Sequence, residues 1–259
     1  MRVYFRFLVN SWKDIAEFRF DFLMGFLDLL VYMASIFFFW RFVSAGSSEI
    51  AGWRTIDLML LGAFAGLYIS LNGFFSGSWY LSGKIMEGDL DKYLARPVNV
   101  YFAIMAESFQ MDELIRGILG FTVMLGIYLA KTGCDISFLS LAGAFVVFSC
   151  GTLSLVFMKS VVSLLAVWYG EIGAFKLLLH FEDFQFERYP TTFYGRALSN
   201  VLNYVICIGL VATIPTAILS GKTIPANYLV GALLCLLAWA ALLAVVFKKA
   251  IARYESFGG

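Results

Sequence analysis

Side chains able to do covalent chemistry are scarce in this chain. His180 is the only histidine, so a His-based triad or a multi-His metal site has little to be built from. The four cysteines, Cys134, Cys150, Cys207 and Cys235, lie far apart without a C-x-x-C pair. Three of them fall in apolar runs, where cysteine behaves as a small buried hydrophobe; neither a metal site nor a disulfide is inferred. "GSWYLSGKI" (77–85) approaches a phosphate-binding loop, which needs G-x-x-x-x-G-K-[ST] between a strand and a helix. Here Gly77 and Gly83 are six apart rather than five, Ile85 replaces the hydroxyl residue, and no strand precedes. "LSG" (81–83) begins like a second nucleotide-contacting signature, but Lys84 and Ile85 end the match. The expectation is a chain with no catalytic, cofactor-binding or metal-ligating residues and no ATP hydrolysis of its own.

The remaining chemistry is that of charges set in an apolar chain. Of the 259 residues, 61% are hydrophobic and 14% charged, where a soluble domain carries about a quarter charged. Apolar runs near the ~20 residues needed to cross a bilayer recur along the sequence. The fold class expected is all-α integral membrane, one transmembrane domain over 1–259 with spans at about 21–43, 57–77, 104–130, 138–158, 198–219 and 228–248. Residues 1–20 read as an interfacial amphipathic helix. Phe5, Leu8, Val9, Trp12, Ile15 and Ala16 share one face; Arg2, Arg6, Lys13, Asp14 and Glu17 take the other. These charges, and the lack of a cleavage site, argue against a signal peptide. The stretch 160–182 has apolar residues at helical spacing but also Glu171, Lys176 and His180; it reads either as a seventh span or as an interfacial amphipathic helix.

Basic residues decide between these, because Lys and Arg are retained in cytoplasmic loops. Six spans with both termini cytoplasmic collect fifteen basic residues on the inner side and leave four, Arg41, Arg54, Lys131 and Lys222, outside. A seventh span would send Lys248, Lys249 and Arg253 outward. The distribution favours six spans, 160–182 at the interface, and long cytoplasmic loops at 77–103 and 159–197.

Asp28 lies a third of the way into the first span. A carboxylate near the bilayer centre costs roughly 2.5–3.5 kcal/mol on insertion scales, so it should face protein or water; it is a pathway candidate or a shallow, paired Asp. Asp112 and Arg116 are i, i+4 and expected to pair. Gly62, Gly66, Gly73 and Gly77 fall within about 60° of helical arc. Such a stripe admits a neighbouring backbone, from this chain or from a second subunit.

"GKIMEGDLDKYLARPVNV" (83–100) interrupts the apolar chain with charges, two Gly and a Pro. Asp89 suits a helix N-cap, and Leu90, Tyr93 and Leu94 make one apolar face at i, i+3, i+4 spacing. Asp89 and Asp91 at the start and Lys92 and Arg96 at the end match the helix dipole, and Pro97 stops the helix at Arg96. Isolated helices below roughly 12–15 residues are marginal, so 87–97 needs a surface to dock on, in this chain or in a cytosolic partner.

The segment resembles the cytoplasmic loop between the second and third spans of type-2 ABC transporter permeases. It is similar in particular to a compact six-helix branch with the pattern G-x-L-D-x-Y-L-x-R-P-V-N, here Gly88, Leu90, Asp91, Tyr93, Leu94, Arg96, Pro97, Val98 and Asn99. "ERYPTTFYGRAL" (187–198), "IPTAILSGKTIPANYLVG" (214–231) and "RYESFGG" (253–259) look like later motifs of that branch. The resemblance implies a non-catalytic exporter subunit in a bacterial plasma membrane, working with a second permease subunit, identical or different, amid membrane lipid. Two separate cytosolic ATPase subunits would hold ATP and Mg; no nucleic-acid partner is expected. It implies that 87–97 is the coupling helix, with Glu87, Asp89, Leu90, Asp91, Tyr93, Leu94 and Arg96 docking on the ATPase. Family permeases often carry re-entrant helices before the last span; 220–227 leaves little room unless the flanking runs, with Pro215 and Pro225, are themselves broken. An ion-coupled transporter or channel would need ionisable residues clustered at mid-membrane, and Asp28 is nearly alone there. An intramembrane enzyme using "SGSW" (76–79) would need bases or metal ligands that one His does not supply.

Overall fold

A bilayer offers the backbone no hydrogen-bond partners, so an apolar chain that spans it must pair its own N–H and C=O groups, in helices. The computed structural model describes residues 11–13, 15, 17, 19–45, 49–95, 97–133, 136–170 and 185–254. Its helices are α1 (Arg19–Val43), α2 (Thr55–Phe74), α3 (Gly77–Met86), α4 (Asp91–Leu94), α5 (Val100–Glu107), α6 (Met111–Thr132), α7 (Phe138–Leu164), α8 (Ala166–Tyr169), α9 (Arg196–Tyr204), α10 (Thr213–Leu219) and α11 (Ala226–Arg253). A two-stranded antiparallel hairpin, β1 (Glu49–Ile50) and β2 (Trp53–Arg54), links α1 to α2. Among the described residues five helical stretches are long and apolar enough to cross a membrane, α1, α2 with α3, α6, α7 with α8, and α11, and a bent pair, Arg196–Tyr204 with Ile208–Leu219, would make a sixth if taken as one span. The fold is all-α integral membrane, as its composition requires.

Two apolar clusters organise the bundle. The larger joins Leu58, Phe64 and Tyr68 of α2, Phe121 and Tyr128 of α6, and Phe148 and Leu155 of α7 to Leu210 and Ile218. The smaller joins Leu81 and Ile85 of α3 to Leu90, Tyr93, Ile104, Leu164, Ala166 and Ala250. They mark opposite ends, named here for Trp53 and Tyr93. The described parts of both chain termini lie at the Tyr93 end: Ser11 Oγ donates to Phe109 O (2.8 Å) and accepts from Met111 N (3.1 Å), and Tyr254 stands near Asp91. Ser11, Trp12, Lys13, Ile15 and Glu17 are helical; the rest of the expected 1–20 helix up to Phe18 lies outside the described residues.

The glycine stripe is filled from within the chain. A Cβ on Gly62 would stand 2.6 Å from Ile36 Cγ2 of α1, and one on Gly66 2.6 Å from Tyr32 Cε1. Gly73 faces Glu113, and Gly77 faces Ile104 O and Met105 Cα of α5, each at 3.0 Å. Tyr32 Oη then donates to Gly62 O at 3.1 Å, stitching α1 to α2.

Span boundaries differ from expectation in four places. The run expected at 57–77 continues through a break at Phe75–Ser76 to Met86, and that at 104–130 is split into α5 and α6. Helix α7 runs through Leu164 and is followed by α8, so the start of 160–182 extends a span rather than lying at the interface; 171–182 lies outside the described residues. The fourth difference is the largest. The run at 198–219 is not one straight helix: it forms α9 and the stretch Ile208–Leu219, bent by 76°. Its apolarity suits a segment buried in protein as well as a span, and Cys207, at φ 66°, turns the chain between the halves.

Residues 186–194, expected in a cytoplasmic loop, sit at the Trp53 end. Trp53 Nε1 donates to Thr192 Oγ1 at 3.0 Å, and the Tyr189 ring lies 6.0 Å from Trp40 and from Phe39. Helix α8 belongs with the Tyr93 cluster through Ala166 and Trp168, beside α3 and α11. The described residues just before 171 and just after 184 therefore lie at opposite ends of the bundle. In a cysteine-free background, Thr192→Cys should react with an impermeant maleimide from the same side as Gly52→Cys and from the opposite side to Glu87→Cys. Labelling of position 192 together with position 87 would refute this arrangement.

Candidate functional site

The loop at the Tyr93 end is built from its turn outward. Gly88 takes φ 76°, a left-handed conformation that favours glycine, and redirects the chain leaving α3. One helical turn follows, Tyr93 and Leu94 N–H both bonding to Leu90 O (3.0 Å each). Asp89, expected as N-cap, instead accepts from Lys92 Nζ at 2.8 Å; that hydrogen bond holds its carboxyl below the usual carboxylate range. Asn99 caps α5, its Oδ1 accepting from Phe102 N at 3.2 Å. Arg96 lies outside the described residues.

The spacing of Leu90, Tyr93 and Leu94 makes one face and leaves open whether this chain or a partner covers it; Leu90 and Tyr93 are each 1% exposed, packed with Ile85, Ile104 and Leu164 of this chain. Only Leu94, 42% exposed, points out, beside exposed Glu87, Asp91, Lys92 and Ala95. The helix spends its apolar face on its own chain, as its shortness demands. Tyr93 locks it there: Lys84 Nζ donates to its Oη at 2.7 Å, Tyr93 Oη donates to Glu107 Oε2, and Lys84 pairs with Glu107 Oε1 at 3.4 Å. Lys84 and Lys92 also stand 5.2 and 5.1 Å from the Tyr93 ring centroid. The outward turn is thereby tied to α3 through Lys84 and to α5 through Glu107.

Just above, the breaks in two helices lie side by side. Ser76 Oγ donates to Ser108 O at 2.9 Å, and the Phe74 and Phe109 rings stack with centroids 4.4 Å apart. Beyond the breaks, α1, α2 and α6 surround an open cavity of roughly 600 Å³, lined by Gly25, Asp28, Leu29, Tyr32, Gly66, Glu113, Arg116 and Gly120 among others. Arg116 pairs with Asp112 (3.0 Å), as expected, and also with Glu113. Asp28, the sequence candidate, lines this cavity from an exposed position on α1.

Three polar residues escaped sequence reasoning. Asp57, 0% exposed, accepts from Arg54 (Nη2, 2.8 Å), pairs with Lys222 (3.4 Å) and meets Tyr128 Oη (3.4 Å). Its signal was present, an Asp three residues after Arg54 at a helix start, accepting from Arg54 N (3.3 Å). Lys159, counted among the inner helix ends, is 4% exposed inside α7, donating to Asn72 Oδ1 at 2.7 Å near the rings of Tyr68 and Trp79. Glu187 is buried beside Arg188, whose guanidinium faces the Tyr32 ring at 5.1 Å.

The inward setting of Leu90 gives a ranking. Leu90→Ala should lower stability by about 2–5 kcal/mol, as truncations in packed cores do. Tyr93→Phe should cost about 1–2 kcal/mol through its lost hydrogen bonds, and Leu94→Ala less than about 0.5 kcal/mol. Thermal unfolding of the detergent-solubilised protein checks the order; a larger loss for Leu94 than for Leu90 would contradict the packing.

Neither curated proteins nor solved structures provide a match to the chain. The family comparison does: residues 30–258 match the family described as ABC-2 family transporter protein, a stretch that takes in the loop, the later part of α1 and every helix after it, and that begins just after Gly25, Asp28 and Leu29 of the cavity. The chain belongs to the ABC-2 family of transporter proteins and is a membrane permease of an ABC transporter.

Proposed function

We propose that the chain is the transmembrane subunit of an ABC exporter and receives the energy of ATP through the outward turn at 87–95. The Tyr93 end faces the cytosol, in a bacterial plasma membrane, with both termini on that side. Two ATPase subunits, which hold ATP and Mg, dock against Glu87, Asp91, Lys92 and Leu94 of each of two permease subunits. Leu90 and Tyr93 act from beneath, holding the turn against its own bundle. The observation that carries this reading is the Lys84–Tyr93–Glu107 network, which joins an exposed charged turn to two helices at once. A turn that flexed freely would absorb a push; one locked to α3 and α5 passes it on. Family membership supports the ATPase partner, since ABC-2 permeases generally work with ATPase subunits.

Because Leu90 faces inward, Leu90→Asp would bury a carboxylate and damage the fold rather than the docking surface. The informative variant is Leu94→Asp with Asp91→Lys. Wild-type protein purified in mild detergent should bring down an ABC ATPase; the double variant should reach the membrane with unchanged melting temperature and bring down none. Recovery of no ATPase with the wild type, together with transport driven by an ion gradient alone, would refute the reading.

A further inference from the structure

The cavity between α1, α2 and α6 has a composition that selects among ligands. Its walls are mostly apolar, with Leu29, Met33, Ile36, Phe121 and Met124 among the lining residues. Small residues let the helices close on one another around it. A Cβ on Gly120 would stand 2.6 Å from Leu29 Cδ1, one on Gly66 2.6 Å from Tyr32 Cε1, and one on Gly25 would strike the Arg116 guanidinium.

The charges are unbalanced. Among the described residues the only cation lining the cavity is Arg116, and it is already engaged by Asp112 and Glu113. Asp28 is then surplus: it makes no ion pair among the described residues, and it stands exposed on a helix whose neighbouring Leu23, Leu27, Leu30 and Val31 face outward as well. A carboxylate at such a depth requires protein, water or a counter-charge beside it. An anionic ligand would meet Asp28 and Glu113 as like charges, with the Arg116 charge already neutralised. A neutral ligand would leave Asp28 uncompensated. A cation on an apolar body satisfies both the walls and the charge.

The charges are also placed asymmetrically. Asp28 follows Arg19 by nine residues, about 13–14 Å along the helix, and Glu113 and Arg116 lie in the first two turns of α6. Ile36, Phe121 and Met124 lie farther toward the Trp53 end. A bound amphiphile would thus hold its charged group toward the Tyr93 end and its apolar body toward mid-bundle.

We propose that this cavity is a binding site for hydrophobic monovalent cations, with Asp28 as the counter-charge, and that such cations are the substrate class of the permease. The substrate assignment rests on the permease reading above; the binding does not, and is tested without any ATPase. Full-length chain in phosphatidylcholine nanodiscs should bind tetraphenylphosphonium saturably, relative to empty discs, and should not bind the isosteric anion tetraphenylborate at the same site. Asp28→Asn should weaken tetraphenylphosphonium binding by about tenfold or more, as loss of a charged partner does. Asp28→Glu should stay within about threefold of wild type. Met33→Trp, which fills the cavity and leaves every charge in place, should block binding by itself and decides the matter should Asp28→Asn fail to assemble. Equal binding of the cation and the anion, or binding unchanged in Asp28→Asn or in Met33→Trp, would overturn the proposal while leaving ATPase association, measured separately, untouched.

Discussion

Every backbone group inside the bilayer must find a partner within the protein, and this constraint explains most of the polar side chains in the bundle. Unbroken helices meet it alone. Each break frees carbonyls and amides, and side chains from other elements take several of them. Ser76 Oγ bonds Ser108 O, and Ser11 Oγ bonds both Phe109 O and Met111 N, where α5 passes into α6. Where α9 ends, Tyr204 O accepts from Cys235 Sγ (3.1 Å) and Val205 O from Trp239 Nε1 (3.1 Å), both of α11. Thr213 Oγ1 accepts from Thr191 N at 3.0 Å, and Lys222 donates to Gly52 O at 2.6 Å. Without these residues the carbonyls of Ser108, Phe109, Tyr204 and Val205 and the amide of Met111 would lose these partners.

Those breaks in turn divide the molecule into parts with different mechanical character. Between the Phe74–Phe109 stack and the Tyr93 end, α3 and α5 form a short pair that carries the turn of α4, fixed by Gly77 against Ile104 and Met105. On the other side of the stack, α2 and α6 pack closely and wall the cavity. Helix α1, the third wall, is the least enclosed of the long helices, with Ile36 and Trp40 its only buried residues among those described. On the proposed function, a push on the outward turn reaches two cavity walls through adjoining breaks, while the third wall is held by few contacts.

How much of this was legible in the sequence follows from what each pattern measures. Hydropathy measures apolarity, so it found α1, α2, α6, α7 and α11, and it also marked 198–219, where the apolar second half, Ile208–Leu219, is buried in protein while α9 is mostly exposed. Cys207 in a left-handed conformation and the contacts of Tyr204 and Val205 with α11 mark the bend between the two. Periodicity found the face of Leu90, Tyr93 and Leu94 but could not say what covers it; packing against Ile104 and Leu164 turned the first two inward. Counting basic residues placed Arg188 in a loop, whereas its guanidinium faces Tyr32 inside the bundle. The glycine stripe was readable to the residue, since close approach needs the missing Cβ, but the partner helices α1, α5 and α6 were not.

The two ends of the bundle hold their polar clusters differently, and the difference bears on which end can move. At the Trp53 end, Asp57 is wholly buried and joins α2 to the turn after α10 through Lys222, with Arg54 and Tyr128 completing the set. Removing either partner of such a pair strands a charge, so the start of α2 is costly to detach from that turn. At the Tyr93 end the outermost ion pair is Asp89 with Lys92, both about two-fifths exposed at the side chain, a kind of contact worth little and readily exchanged for water or for another protein. The chain thus keeps its strong electrostatic tie where α2 meets the hairpin, and its replaceable one on the turn that a partner would grip. A force applied at 87–95 would therefore displace α2 about its pinned end, and the glycine contacts with Ile36 and Tyr32 would carry that displacement to α1 and to the cavity beside Asp28.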